Sequence, residues 1–245
     1  MLIILISKKI IYMISIIIPT YNEEENIIKL INKIFNISLK INIVVVDDSP
    51  KSYLNIKKIK NVKYIYRGKK LGRGSAVLIG MKEALKNHKN KIIIEMDADF
   101  SHRPGEIAPN IKYFYKEKLN FLIASRYLKR SKILNWPVSR RILSKFSNLM
   151  ARILLNIPIK DYTNGFRFYD RKAAAYIIKK CSRSKSPGFI LLSEIAMELY
   201  IGKFKIDERP SIFLNRTRGE SKASLSEIIN SFFGLLRLFI RYKLI

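Results

Sequence analysis

The sequence predicts an α/β fold with a mostly parallel central sheet flanked by helices. Three features support this: short runs of β-branched apolar residues, helical patterns between those runs, and polar groups directly after them. The apolar runs are continuous, as in strands that helices cover on both faces. With 245 residues, the chain is long enough for one sizeable core.

Strands and helices alternate along the first half of the chain. Apolar runs predict strands at 14–18, 43–46, 62–66, 92–96 and 121–124. Helical patterns predict helices at 23–36, 74–87 and 105–118. This β-α-β rhythm is typical of a parallel sheet, whose ligands bind beyond the carboxyl ends of the strands.

The second half is mostly helical. Helices are predicted at 138–155, 171–180, 191–200 and 226–245. Residues 161–169 read as a loop and a strand, and 206–214 read as a strand in which Pro210 indicates an edge or a bulge. We therefore expect a catalytic domain over 1–225, followed by a C-terminal amphipathic helix at 226–245 that contacts a membrane surface, a partner or the domain itself.

The chain is strongly basic. Lys and Arg number 47 against 19 Asp and Glu, which gives a formal net charge of +28. This favours an anionic partner, although a composition rich in Ile, Lys and Asn would also produce it. The single cysteine, Cys181, excludes an internal disulfide and a cysteine metal cluster. No apolar run has the length of a membrane span, and an anchor over 2–18 would bury Lys8 and Lys9.

Two acidic residues follow the predicted strand at 92–96. Asp97 and Asp99 lie on one side of the chain, with the small Ala98 between them. Two carboxylates this close repel each other unless a cation lies nearby. Hard oxygen ligands suit Mg²⁺ or Mn²⁺ shared with substrate phosphates. The alternative interpretation is a solvated acidic turn.

Other strand ends carry groups suited to a nucleotide. The segment 19–26 follows the first strand, and Asp47-Asp48 follows the second. A carboxylate there can accept hydrogen bonds from a ribose or a base, and Tyr21 can stack on a base. The glycine-containing segment 71–76 resembles a phosphate-binding loop, but a tight turn with close helix packing explains it equally well.

The helix predicted after Trp136 has one polar face. Arg140, Ser144 and Asn148 recur at intervals of four residues. A guanidinium group and a hydroxyl one turn apart can bind a phosphate together, and the alternative is a solvated helix face. A further basic segment, 215–222, follows the last predicted strand.

Seven motifs in order resemble those of the family 2 inverting glycosyltransferases, which have the GT-A nucleotide-sugar fold. Within that family they are most similar to the dolichol-phosphate mannosyltransferases, or polyprenyl-phosphate sugar synthases. The motifs are PTYNEEEN at 19–26, VDDSP at 46–50, MDADFSH at 96–102, SRY at 125–127, Trp136 with Arg140, Ser144 and Asn148, DYTNGFRF at 161–168, and RTRGESK at 216–222.

The resemblance implies a role for each matching residue. Donor-binding residues would be Pro19, Tyr21, Glu23, Val46, Asp48, Asp97, Ala98, Asp99, Arg216 and Lys222. The divalent metal, Mg²⁺ or Mn²⁺, would be held by Asp97, Asp99 and Ser101. The lipid phosphate would be bound by Arg126, Arg140 and Ser144, which with Asp99 form the implied catalytic set.

The implied reaction is transfer of mannose from GDP-mannose to a polyprenyl (dolichyl) phosphate, with inversion to a β-linked product. The alternative is a transferase of the same fold that uses UDP-glucose or another nucleotide sugar with undecaprenyl phosphate or a different acceptor. A lipid acceptor implies peripheral association with the cytoplasmic face of a membrane, directly or through a small membrane-anchoring subunit. An inactive membrane-associated scaffold is a further alternative.

The loop after the second predicted strand departs from the family pattern. Ser49 follows Asp48 directly, where the family usually has an intervening residue, so this loop is short and base selectivity is open. Nucleic acid is not expected as a partner, because the sequence has no helix-turn-helix, zinc or RNP signature and its acidic strand ends would repel phosphates without a metal.

Overall fold

The computed structural model describes residues 13–182, 184, 186, 190–215 and 225–243. Its strands are β1 (Met13–Thr20), β2 (Ile41–Asp47), β3 (Val62–Tyr66), β4 (Asn90–Glu95), β5 (Phe121–Ser125), β6 (Lys132–Leu134), β7 (Arg167–Asp170), β8 (Ile206–Pro210) and β9 (Ile212–Leu214). Its helices are α1 (Glu24–Phe35), α2 (Arg73–Lys86), α3 (Ile107–Lys116), α4 (Val138–Leu155), α5 (Arg171–Cys181), α6 (Ile190–Ile201) and α7 (Leu225–Lys243). Short 3₁₀ helices lie at Leu54–Lys58 and Pro104–Glu106.

Seven strands form the central sheet in the order β3-β2-β1-β4-β7-β5-β8. β7 is antiparallel to both of its neighbours, and the other pairings in the sheet are parallel. The predicted α/β fold with a mostly parallel sheet is therefore confirmed. The order also brings the carboxyl ends of β2, β1 and β4 side by side, which is where the acidic residues lie.

The core occupies both faces of this sheet. On one face, side chains of α1 and α3 pack against residues such as Ile16 and Ile18 of β1. On the other face, α2, α5, α6 and α7 pack around residues that include Ile17. A Cβ atom on Gly80 of α2 would lie only 2.3 Å from Cγ2 of Ile17, so α2 approaches β1 as closely as it does because residue 80 is glycine.

The structure differs from the sequence-based prediction at two places near the site. The strand predicted at 206–214 is two strands in two different sheets, and the chain turns after Pro210 so that β9 pairs with the unpredicted β6. The sequence favours Asn22 as the N-cap of the first helix, but the N-cap of α1 is Glu23: Asn22 has a φ of 57°, and its N–H donates to Oγ of Ser49.

The C-terminal helix α7 packs on the domain along one face. Leu235 and Leu238 are buried in the same cluster as α6 side chains. Arg241 donates to Glu194 of α6 at 2.8 Å, and the hydroxyl of Tyr242 donates to Glu198 at 2.6 Å. Phe232, Phe233 and Ile240 are exposed on the other side of α7. Among the described helices, none combines the length and apolarity that a membrane crossing requires.

Candidate active site

The ends of β1 and β2 place the expected nucleotide residues next to each other. Pro19 lies opposite Val46 in the parallel register, and the Asp48 N–H donates to the Thr20 carbonyl at 3.0 Å. Tyr21 is half exposed, with the Lys70 amine 5.1 Å from its ring centroid. Oε2 of Glu23 accepts a hydrogen bond from the Asn26 side chain at 2.6 Å. The donor-binding residues predicted on these two strand ends therefore share one edge of the sheet.

Asp48 binds the backbone of the glycine-containing segment 71–76. Its Oδ2 accepts the backbone N–H groups of Leu71 and Gly72 at 2.8 and 2.9 Å. Its Oδ1 accepts the Arg67 guanidinium, so both oxygens are engaged within the chain. The N–H groups that would cradle a phosphate are thus bound to Asp48, which favours the tight-turn interpretation of 71–76. Contact of Asp48 with a base or ribose stays a prediction.

A second network fixes the short loop after β2. The fully buried Asp47 accepts hydrogen bonds from the Ser49 hydroxyl at 2.5 Å and the Tyr64 hydroxyl at 2.6 Å. The Ser49 hydroxyl is also 2.8 Å from that of Tyr53. Burial, together with the hydrogen bond to Asp47, raises the pKa of Tyr64, so this phenol stays protonated as a donor. The short loop at Ser49, which leaves base selectivity open, is therefore held in place by Asp47 on one side and by Tyr53 and Tyr64 on the other.

Asp97 and Asp99 follow β4 as expected, and both are partly exposed while Ala98 between them is buried. Oδ1 of Asp99 accepts the Ser101 N–H at 3.0 Å. Ser101 is 1% exposed, and its hydroxyl has no hydrogen-bond partner among the described residues. Two carboxylates and an unsatisfied hydroxyl form a hard-oxygen donor set, although no group of three or more His, Cys, Asp or Glu with metal-binding geometry occurs in the described ranges.

Arg73, the first residue of α2, lies against this acidic turn. Its guanidinium group bonds to Asp97 at 2.8 Å and to the fully buried Glu95 at 2.5 Å. Burial alone would lower the pKa of Arg73, but the two carboxylates raise it above its usual value. A Cβ atom on Gly165 would lie 1.9 Å from this guanidinium group, so the Arg73 side chain can occupy its position because residue 165 is glycine.

On the other side of the site, Arg126 follows β5 and is held by Asp161. The Arg126 guanidinium donates to both oxygens of Asp161 at 2.8 and 2.7 Å, and its backbone N–H donates to the same carboxylate at 2.8 Å. Both side chains are buried. Burial would raise the pKa of Asp161, but the Arg126 charge and these hydrogen bonds bring it below its ordinary value.

The polar face of α4 lies next to Arg126, because Asn148 and Arg126 both donate to the Thr163 hydroxyl. The Ser144 hydroxyl accepts the Tyr127 hydroxyl at 2.6 Å, and Arg140 donates to the Asn215 side chain at 3.1 Å. The Trp136 ring centroid is 4.4 Å from the Arg140 guanidinium carbon and 5.5 Å from that of Arg126. Arg126, Arg140 and Ser144, which we call the acceptor cluster after the role that the family resemblance implies, therefore lie together.

The segment 161–165 joins the acidic turn to the acceptor cluster. The Asp97 N–H donates to Nδ1 of His102 at 3.0 Å, so His102 Nε2 carries the proton and donates to the side-chain Oδ1 of Asn164 at 2.9 Å. The Asn164 backbone N–H in turn donates to Asp161 at 3.0 Å, and Asp161 holds Arg126. The two halves of the site are thus one connected network.

Two of the predicted residues, Arg216 and Lys222, lie outside the described residues. Several residues that build the site have no role predicted from the sequence, namely Arg67, Arg73, Glu95, His102, Asp161 and Asn164. For one of them the sequence does contain a signal. Glu95 is a charged residue inside an apolar strand, and a charge buried in this way needs a buried partner of opposite charge.

The match to a family model decides the family. The model described as "Glycosyl transferase family 2" matches residues 15–177. The chain belongs to glycosyl transferase family 2. The expected glycosyltransferase class is confirmed, and the matched residues include the ends of β1, β2, β4 and β5 that carry the site.

Two curated proteins are similar to this family 2 chain over most of its length. The chain is 32% identical over 236 residues to the polyprenol monophosphomannose synthase of Mycolicibacterium smegmatis, which covers 94% of this chain and 88% of that protein. It is 37% identical over 219 residues to the dolichol-phosphate mannosyltransferase of Pyrococcus furiosus, covering 85% of this chain and 58% of that longer relative.

Solved structures show the same fold. The glucosyl-3-phosphoglycerate synthase of Mycobacterium tuberculosis, in complex with Mn²⁺, UDP and phosphoglyceric acid, superposes with a TM-score of 0.66 at 15% identity. The superposition covers 93% of this chain and 78% of that one. At this identity the likeness concerns the fold alone, and it confirms the predicted GT-A architecture of this family 2 chain.

Proposed function

We propose that this family 2 enzyme transfers mannose from GDP-mannose to a polyprenyl phosphate. One structural observation carries the proposal: the acidic turn at Asp97 and Asp99 and the acceptor cluster are joined through segment 161–165 into one site. A site with carboxylates on one side and guanidinium groups on the other suits a metal-bound diphosphate meeting a second phosphate. The names of the two curated relatives support mannose and a polyprenyl phosphate as substrates.

The donor would lie along the ends of β1, β2 and β4. In this proposal Pro19, Tyr21, Glu23, Val46 and Asp48 surround the base and ribose, and Asp97, Ala98 and Asp99 lie at the diphosphate. Asp97, Asp99 and the unsatisfied Ser101 hydroxyl would hold Mg²⁺ or Mn²⁺. A divalent ion there would supply Lewis-acid stabilisation of charge on the leaving diphosphate.

The acceptor phosphate would lie against Arg126, Arg140 and Ser144. A phosphate monoester has a second pKa of about 6, so it is largely ionised at neutral pH and needs no general base. The task of the protein is then to bring two anions together, which cationic side chains accomplish by positioning and electrostatic stabilisation. In-line attack of the phosphate oxygen on the anomeric carbon would break its bond to the leaving diphosphate and invert the configuration. Arg216 and Lys222 are proposed as further contacts of the donor.

We further propose that the outer face of α4 contacts the membrane that carries the acceptor. On this face five apolar residues are between 47% and 71% exposed: Val138, Ile142, Phe146, Leu149 and Ile153. Lys145 and Arg152 are exposed beside them. A helix with an exposed apolar stripe and flanking cations suits an anionic lipid surface. The inner face of the same helix carries Arg140 and Ser144, so membrane contact would bring the acceptor cluster near the lipid headgroups.

A donor screen tests the proposed reaction. The purified chain is incubated with farnesyl phosphate, Mg²⁺ or Mn²⁺, and GDP-mannose, UDP-glucose or UDP-mannose in turn, and the lipid products are identified by mass spectrometry. We expect a mannosyl product that requires GDP-mannose and is lost in Asp99→Ala. Product from UDP-glucose alone would support the alternative donor, and absence of product with each donor would reject the proposal.

A further inference from the structure

We propose that Trp136 is a further ligand of the acceptor phosphate. Its indole N–H and the N-terminal end of α4 would complete an anion site with Arg126 and Arg140. This inference rests on the proposed function, because it assigns a group to the acceptor side of that reaction. It names a contact that neither the acidic turn nor the acceptor cluster already supplies.

The indole ring lies beside both guanidinium groups. Their central carbons are 4.4 Å (Arg140) and 5.5 Å (Arg126) from its centroid, within the range of cation–π attraction. Phe213 packs against the indole with ring centroids 5.2 Å apart and ring planes at 75°. Trp136 is therefore fixed in position, and its ring stabilises two like charges at one place.

The Trp136 N–H is buried without a partner. The residue is 8% exposed, and its Nε1 has no hydrogen-bond acceptor among the residues that the structure describes. Buried indole N–H groups usually find an acceptor, since an unpaired one loses its hydration without compensation. Indole nitrogen can only donate, so the group that satisfies it must be an acceptor. A phosphate oxygen drawn in by two guanidinium groups has that chemistry.

The start of α4 adds a second attraction for an anion. The helix begins at Val138, two residues after Trp136, and its N-cap residue Pro137 makes no side-chain capping bond. Its first turn has no acidic residue, and the helix is 18 residues long. Backbone N–H groups and the positive end of the helix dipole favour an anion at such an end. The indole N–H, this helix end two residues away and the two guanidinium groups beside the indole ring therefore each favour an anion.

Steady-state kinetics of Trp136→Phe test the N–H directly. Phenylalanine keeps an aromatic face for both guanidinium groups but cannot donate a hydrogen bond. We expect the KM for farnesyl phosphate to rise about tenfold or more, as for loss of one hydrogen bond to a charged group, with the KM for GDP-mannose unchanged. Trp136→Leu, which also removes the aromatic face, should raise it further. An unchanged acceptor KM in Trp136→Phe, or equal rises for both substrates, would overturn the proposal.

Tryptophan fluorescence of the wild-type protein gives a measurement that needs no turnover. Because no variant is used, the result does not depend on whether the Trp136 variants fold. Trp136 is the single tryptophan of the chain, so tryptophan emission reports this position alone. Farnesyl phosphate without donor should shift or quench the emission, and farnesol, which lacks the phosphate, should not. Equal responses to both lipids, or no response to either, would overturn the proposal. An emission change without mannosyl transfer would reject the proposed function only, and transfer with silent emission would reject this inference only.

Discussion

Asp161 accepts three hydrogen bonds from Arg126, two from the guanidinium group and one from the backbone N–H. The carboxylate therefore fixes both the position and the orientation of the cation. Asn164 donates to the same carboxylate and accepts from His102, which holds the Asp97 backbone. Asp161 thus acts at the junction of the two halves of the site, and we treat it as a positioning residue.

Substitution of Asp161 should lower stability. In Asp161→Asn the buried Arg126 loses its counter-charge, which should reduce the free energy of unfolding by about 3–5 kcal/mol in urea titrations. The matched control is Arg126→Leu/Asp161→Asn, which removes both charges but keeps a carbonyl acceptor at residue 161; it should be closer to wild type in stability while losing transfer activity. Equal destabilisation in the two variants would contradict a role for the charge pair.

The same pair predicts a pH dependence of stability. Burial opposes ionisation of Asp161, but the Arg126 charge outweighs it and lowers the pKa of this carboxyl below its ordinary value. A carboxylate with a depressed pKa stabilises the fold above its unfolded pKa, and this contribution is lost as the pH falls through the folded pKa. In thermal melts, acidification below about pH 4 should destabilise the wild type more than Arg126→Leu/Asp161→Asn, which has no titrating group at residue 161. Parallel losses in both proteins would contradict this assignment.

Gly165→Ala should disturb the donor side of the site. The new Cβ would lie 1.9 Å from the Arg73 guanidinium group, which would have to leave Asp97 and Glu95. We expect the KM for GDP-mannose to rise about tenfold, since forced repacking of this kind disturbs a site by about 1–3 kcal/mol. The control is Gly105→Ala, whose Cβ would meet nothing within 4 Å. Similar kinetics for the two variants would show that Arg73 does not depend on Gly165.

The outer face of α4 predicts binding to anionic membranes. Phe146→Ser, alone and with Ile142→Ser, should reduce sedimentation of the protein with phosphatidylglycerol vesicles, because both residues are exposed and apolar. The control is Tyr115→Ser, which changes an exposed aromatic residue on α3. Transfer to a short, water-soluble acceptor should stay near the wild-type rate in Phe146→Ser. Unchanged vesicle binding would contradict the proposed contact and leave a partner subunit as the occupant of this face.

The sequence predicted most of the fold because its long elements carry strong local signals. The α4 prediction matches the observed Val138–Leu155, and the β3 prediction matches Val62–Tyr66. The three-residue β6 was missed because its partner β9 lies about 80 residues further along the chain. The outward apolar stripe of α4 was missed for a different reason: apolar faces of helices usually pack inward, so periodicity does not reveal an exposed one.

Part of the candidate site could also be predicted, because some of its residues belong to local sequence motifs. Motifs at strand ends predicted that Asp97, Asp99 and Arg126 lie near one another, since the carboxyl ends of a parallel sheet meet at one edge. The contacts that hold them, such as Arg73 with Glu95 and Asp161 with Arg126, join residues 22 and 35 positions apart. Long-range pairing of this kind depends on the assembled fold and leaves no local pattern.

The most direct test of the account is the structure of the lipid product. The purified chain is supplied with GDP-mannose, Mn²⁺ and farnesyl phosphate, and the anomeric configuration of the product is determined by NMR. The account predicts β-linked mannosyl farnesyl phosphate, with no such product from Asp99→Ala or from farnesol. Formation of free mannose without the lipid product, or equal transfer to farnesol, would show that the site does not join a nucleotide diphosphate to a lipid phosphate.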